Sequence, residues 1–259
     1  MRILFLNQAP HSIHNEVSAY ESRVAPLLQS YASPGTTVEL GYPDHYPGEV
    51  VSARASQQQI QTELPQTIAT PALVQKAVWA AANGYDAVIQ SHTLDPGVEA
   101  SRLVVRIPVI GLFRTALLVA SSIAERVAVT VPFDHYEIWA RRMLRAYRME
   151  YLVTDIRSFR LPGVQGAAEK KDEITAIAAE TMRKLVAETR AECVLPVGGL
   201  LIPYLIDPAD LERAVGVPVL NLKAIGIRYA EMCVQLGLSH SPATYPVLNL
   251  HAEDLVGLQ

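Results

Sequence analysis

Cysteine is nearly absent from this 259-residue chain, which holds only Cys193 and Cys233. Their spacing fits neither a metal site nor a disulfide framework, so both read as structural. Glycine is missing where a nucleotide would need it: Asn7-Gln-Ala-Pro-His11, after the first apolar run, has none to let a pyrophosphate approach the backbone. No nucleotide cofactor is therefore expected. Neither sign of charge dominates, with 22 Lys and Arg against 26 Asp and Glu, which leaves no basic face for nucleic acid. No apolar run approaches the ~20 residues of a membrane span, and the apolar start is too short for a signal peptide. A cytoplasmic protein with no membrane partner is the expectation. His11, His14 and His45 lie in or beside loops, and no histidine pair at helical spacing joins a carboxylate, so no metal is expected. The Gly-x-Ser-x-Gly elbow of a serine hydrolase is also missing.

What the chain does contain is an internal echo. Asp86-Ala-Val-Ile-Gln-Ser-His-Thr93 followed by Ile107-Pro-Val-Ile-Gly111 returns, about 110 residues later, as Glu192-Cys-Val-Leu-Pro-Val-Gly-Gly199 followed by Val217-Pro-Val-Leu-Asn221. The opening Arg2-Ile-Leu-Phe-Leu-Asn7 has its counterpart in Arg126-Val-Ala-Val-Thr-Val131. Half of the residues are apolar, enough to bury a sizeable core. Short Val, Ile and Leu runs alternate with helix-like segments at 12–30, 71–83, 115–124, 135–148, 169–190 and 222–236, which argues for parallel sheets. The fold expected is α/β, with two pseudo-symmetric Rossmann-like lobes at 1–125 and 126–238 and the site in the cleft between them. Residues 239–259 read as a tail over the first lobe or over a neighbouring subunit. Residues 40–66 read as a long loop, either a lid or an irregular connection. Pro71 is placed in the first turn of its helix.

In an open parallel sheet, ligands bind beyond the carboxyl ends of the strands. The segments there are Gly84-Tyr-Asp-Ala-Val-Ile-Gln-Ser-His-Thr-Leu-Asp-Pro-Gly97, Pro108-Val-Ile-Gly111, Gly198-Gly199 and Gly216-Val-Pro-Val219. Together with the strand ending at Asn7 and the strand at 127–131, they resemble the aspartate/glutamate/hydantoin racemase superfamily. Asp95-Pro96-Gly97 looks particularly like the hydantoin racemase branch. The resemblance implies cofactor-independent isomerase chemistry, with acid/base catalysis on a small carboxylate or cyclic amide, and a homo-oligomer. It also implies two thiols, one at the end of each related strand. The first falls within Ser91-His92 and the second within Val197-Gly198, where this chain has no cysteine, and Cys193 lies too early to substitute. Two-thiol racemisation is therefore not expected.

His92 is the one residue of ordinary basicity at either thiol position, so it is the expected acid/base group, with Ser91 beside it. The bland alternative is a histidine that caps the turn or bonds Asp95. Thr93 and Ser91 can donate to a carboxylate or enolate, or simply serve the turn. Arg114 can clamp a carboxylate at a helix start, or pair on the surface. Asn7, Thr130 and His135 are candidate substrate binders by the resemblance, and Gly198 and Gly199 can offer unobstructed backbone N–H groups. Asp134 reads as the N-cap of the helix after it, with Glu137 completing a capping box. Lys223 and Tyr204 are weaker candidates, since a lysine on an amphipathic helix is usually solvated. The leading expectation is an isomerase acting through an enolate with His92 as single base. A decarboxylase using the same carbanion chemistry, or a silent binding protein, stands as the alternative.

Overall fold

The computed structural model describes residues 1–8, 18–45, 48–58, 62–161, 167–198, 201–251 and 254. The expected helix start at 12–17, His11, His14 and Gly199 lie outside them. In chain order the elements are β1 (Arg2–Leu6), α1 (Ser18–Ser30), β2 (Thr37–Gly41), α2 (Glu49–Gln57), α3 (Leu64–Ala82), β3 (Ala87–Gln90), α4 (Val98–Arg102), β4 (Val109–Gly111), α5 (Leu112–Ala120), β5 (Val127–Val131), α6 (Asp134–Tyr147), β6 (Val153–Ser158), α7 (Lys171–Thr189), β7 (Cys193–Pro196), α8 (Pro208–Val215) and α9 (Leu222–Gln235). No helix among the described residues is long and apolar enough to cross a membrane.

The strands form two parallel sheets of the same design. The first runs β2-β1-β3-β4; the second runs β6-β5-β7, with Val219 bridged to Val194 on the far side of β7. In both, the first strand of the repeat takes the second and third on either side. The sequence echo is thus an echo of topology. Strands β3, β5 and β7 are buried at every residue, as expected for strands covered on both faces. The chain divides into two compact units, one made of residues 1–53, 64–112 and 226–259 and the other of 54–63 and 113–225.

Several local expectations are corrected. Residues 40–66 are not one loop: they hold the end of β2 and the nine-residue α2. Pro71 lies inside α3, which starts seven residues earlier at Leu64. Asp134 is the first residue of α6 and makes no side-chain cap. Glu137 instead accepts the Ser158 N–H at 2.6 Å, tying α6 to the end of β6.

In the first unit, residues 239–250 run back along α4 and β4. His240 Nε2 accepts the Val109 N–H at 2.8 Å, Leu248 N–H donates to Leu103 O at 2.8 Å, and Arg102 stacks over Tyr245. A second tie in this unit is the buried carboxylate of Glu231 on α9, which accepts the Ser33 N–H at 2.7 Å and the Ser33 hydroxyl at 2.8 Å. Burial alone pushes this carboxyl up, but the Ser33 N–H, the Thr36 and Ser33 hydroxyls and Arg228 outweigh it and hold it below its ordinary 4.5. Unfolding therefore raises the value and takes up a proton. The stabilisation is complete above 4.5 and is lost as pH falls through the lower folded value. Urea unfolding across an acid series should show stability falling in that window. Glu231→Gln should flatten the fall, at a cost of about 1–3 kcal/mol near neutrality because it weakens bonds to a charged acceptor.

Candidate active site

The turn after β3 is built by hydrogen bonds that its own residues supply. Ser91 N–H donates to Leu6 O at 2.9 Å, extending the β1–β3 ladder by one rung. His92 N–H donates to Gln90 Oε1 at 2.7 Å, and Asp95 N–H donates to His92 O at 3.1 Å. Leu94 N–H donates to His92 Nδ1 at 3.2 Å. As an acceptor Nδ1 carries no proton, so the neutral ring holds it on Nε2. His92 is half-buried, whereas Thr93 and Asp95 are buried. The chain then swings into α4 through Asp95 and Gly97, at φ 55° and 73°.

Asp95 has its seat in the neighbouring strand. A Cβ on Gly111 would lie 2.7 Å from the Asp95 carboxylate, so the absence of a side chain at the end of β4 makes room for that group. On the other side of β3, Asn7 is buried just after β1, and its backbone N–H and Nδ2 both donate to Gly41 O, at 2.8 and 3.3 Å. Asn7, Ser91, His92, Thr93 and Asp95 therefore share the carboxyl edge of the first sheet.

The second sheet's edge differs in chemistry. Thr130 is 0% exposed, its carbonyl accepts the Val197 N–H at 2.7 Å, and its hydroxyl meets no hydrogen-bond partner among the described residues. Val197 is buried. Gly198 sits at φ 112° with Pro132 2.6 Å from where a Cβ would be, so only glycine fits this turn. His135, in the first turn of α6, is paired through Nε2 to the Glu63 carboxylate, which also takes Arg142. Glu63 lies in the segment that reads as a loop, and only its polarity marks it in the sequence. Arg114 stands in the first turn of α5 with its guanidinium 5.4 Å from the centre of the Tyr147 ring.

Two residues differ from their sequence-based expectations or go beyond them. Lys223, expected to be solvated, is 1% exposed near the start of α9, with its ammonium 5.3 Å from the Tyr204 ring centre. Gln90 joins the site without having been a candidate, and the one signal for it is that it is the single polar residue in β3.

Neither thiol is suited to proton transfer. Burial pushes Cys193 up to about 12, with Glu212 adding to the effect, and burial raises Cys233 as well. A protonated, buried thiol is a poor nucleophile. Both should resist iodoacetamide at neutral pH in the folded protein and react fully once unfolded, as mass spectrometry would read. Among the described residues no group of three or more His, Cys, Asp or Glu is placed to hold a metal ion.

The family model for Asp/Glu/Hydantoin racemase matches residues 36–230. The chain belongs to this family. It is 26% identical over 188 residues to the hydantoin racemase of Pseudomonas sp. (strain NS671), covering 72% of this chain and 74% of that one. Its fold is that of the allantoin racemase of Pseudomonas fluorescens, with a TM-score of 0.80 at 21% identity over 96% of this chain and 98% of that one. An arylmalonate decarboxylase shares the fold more distantly, with a TM-score of 0.56 at 16% identity over 94% and 97% of the two chains. The family is one of enzymes, with racemases prominent among the relatives.

Proposed function

We propose that this chain is a cofactor-independent enzyme that moves a proton at a carbon next to a carbonyl, on a small carboxylate or cyclic amide, with His92 as its single acid/base group. The observation that carries this reading is the placement of an imidazole in the turn after β3, held by its own backbone links, in a chain of the racemase family whose two thiols are buried. Removal of the proton leaves an enolate. The Ser91 and Thr93 hydroxyls, on either side of His92 in the sequence, are the donors this reading assigns to its oxygen. As it is held, the ring is a donor through Nε2. To take a proton there it must shift its own to Nδ1, which opens the Leu94 contact. At 3.2 Å that contact is longer than the bonds made by the His92 and Asp95 N–H groups.

A single base works on one face of the carbon. Proton return from the same ring restores the starting configuration unless the planar intermediate turns over or the proton goes back to a different atom. A decarboxylation completed by one-face protonation meets no such restriction, which makes it the second reading. The fold likeness to an arylmalonate decarboxylase is consistent with it.

Proton NMR of the protein in deuterated water, with hydantoins, allantoin, amino acids, maleate and substituted malonates, decides among these. Deuterium entry without loss of carbon dioxide supports the isomerase, and loss of carbon dioxide from a malonate supports the decarboxylase. Ligand line broadening with no change in any compound means a binding protein and overturns the enzymatic reading.

A further inference from the structure

The first sheet's edge holds a second feature beside His92. Gln90 is 3% exposed at the end of β3, and its two amide atoms have different fates. Oε1 accepts the His92 N–H, whereas Nε2, a buried donor, meets no hydrogen-bond partner among the described residues. On the neighbouring strand Leu6 is in register with Gln90, and two residues beyond Leu6 stands Gln8, whose Oε1 is a buried acceptor likewise without a partner among the described residues. A buried polar atom left unsatisfied bears the full cost of its desolvation, so native proteins rarely keep one without a use. Here there are two, of opposite kind, at adjoining strand ends. The first is joined through its own side chain to the backbone of the proposed acid/base residue.

We propose that Gln90 and Gln8 are substrate-reading residues of the His92 site: Gln90 Nε2 donates to the carbonyl oxygen of a substrate amide, and Gln8 Oε1 accepts that amide's N–H. The proposal rests on the enzymatic reading above and narrows its substrate class. A cyclic amide presents a carbonyl and an N–H along one edge and satisfies both groups. A carboxylate offers only acceptors and leaves Gln8 Oε1 unmet. Gln90 would then have two tasks, since its other amide atom fixes the backbone from which His92 works. Substrate binding and base placement would be coupled through one side chain.

The test is nitrogen–proton correlation NMR of the whole protein, tracking the Gln90 side-chain NH2 resonance during titration with hydantoin and, separately, with malonate. Hydantoin should shift that resonance; a carboxylate also accepts from Gln90 Nε2, so the amide N–H is read separately, by a Gln8→Met change that weakens hydantoin binding and leaves malonate binding unchanged. A resonance unmoved by hydantoin overturns the proposal, because an amide that only buttresses the fold, or one bridged by a lasting water, would behave that way. Gln90→Met should raise the hydantoin Kd about tenfold, which corresponds to ~1.4 kcal/mol. Gln8→Met should do the same, and it serves as the variant if Gln90→Met does not fold. Unchanged affinity in the folded variants counts against the proposal. The two readings fail separately: a shifted resonance without deuterium exchange removes the His92 chemistry alone, while exchange with an unmoved resonance removes the Gln90 role alone.

Discussion

His92→Ala should lower the rate of deuterium entry into the responding substrate by ~10²–10⁴-fold, the usual contribution of a positioned general acid/base. The fold should survive the change. His92 is half-buried, and its Nδ1 meets the Leu94 N–H at 3.2 Å, so truncation should cost on the order of 1 kcal/mol for that bond. That pairing of a large rate loss with a small stability loss separates the acid/base role from the alternative of a turn residue. If His92 only shaped the turn, its removal would lower the unfolding midpoint and leave turnover per folded molecule nearly intact. Both quantities can be read from one preparation, by exchange kinetics and by urea unfolding.

Gly111→Ala should damage the turn that carries His92. The new Cβ would fall 2.7 Å from the Asp95 carboxylate, a separation that real Cβ atoms do not show, so Asp95 must move. Asp95 cannot move alone, because its N–H is bonded to His92 O and its backbone sits at φ 55°. Overpacking of this kind costs about 1–3 kcal/mol, and the displaced turn should carry His92 with it. Activity should therefore fall well beyond what the stability loss explains. Asp95→Gly removes the obstructing carboxylate and suits the positive φ, so the double variant should recover part of both losses. Strict additivity in that double-mutant cycle would show that the two residues do not meet.

The duplicated design is legible in the sequence because buried parallel strands are written as plain apolar runs, such as Val127–Val131, and because the repeat keeps their order. The edge strands are harder to see. Residues Val153–Ser158 read Val-Thr-Asp-Ile-Arg-Ser, a half-exposed alternation with Asp155 and Arg157 paired on the open side, so β6 lacks the apolar run of its neighbours. Within the site, the Ser91-His92-Thr93 turn can be located from sequence because residues after a strand lie at the ligand-binding edge. The partners of that turn cannot. Gln90 matters through a bond to the backbone of His92, and Gly111 matters through the room it leaves for a side chain sixteen positions earlier, Asp95. Lys223 shows a further limit: its spacing on α9 suggests a solvated face, whereas packing around Tyr204 buries it. Capping chemistry misleads at Asp134 because Glu137 has a stronger use across α6 and β6.

An imidazole and not a thiol moves the proton in this proposal. The most direct test is the rate of deuterium incorporation in Cys193→Ala/Cys233→Ala protein and in the same protein carrying His92→Ala. The cysteine-free protein should exchange at the wild-type rate, and its His92 derivative should lose exchange. Loss of exchange on removing the cysteines, or exchange that persists without His92, would contradict the assignment.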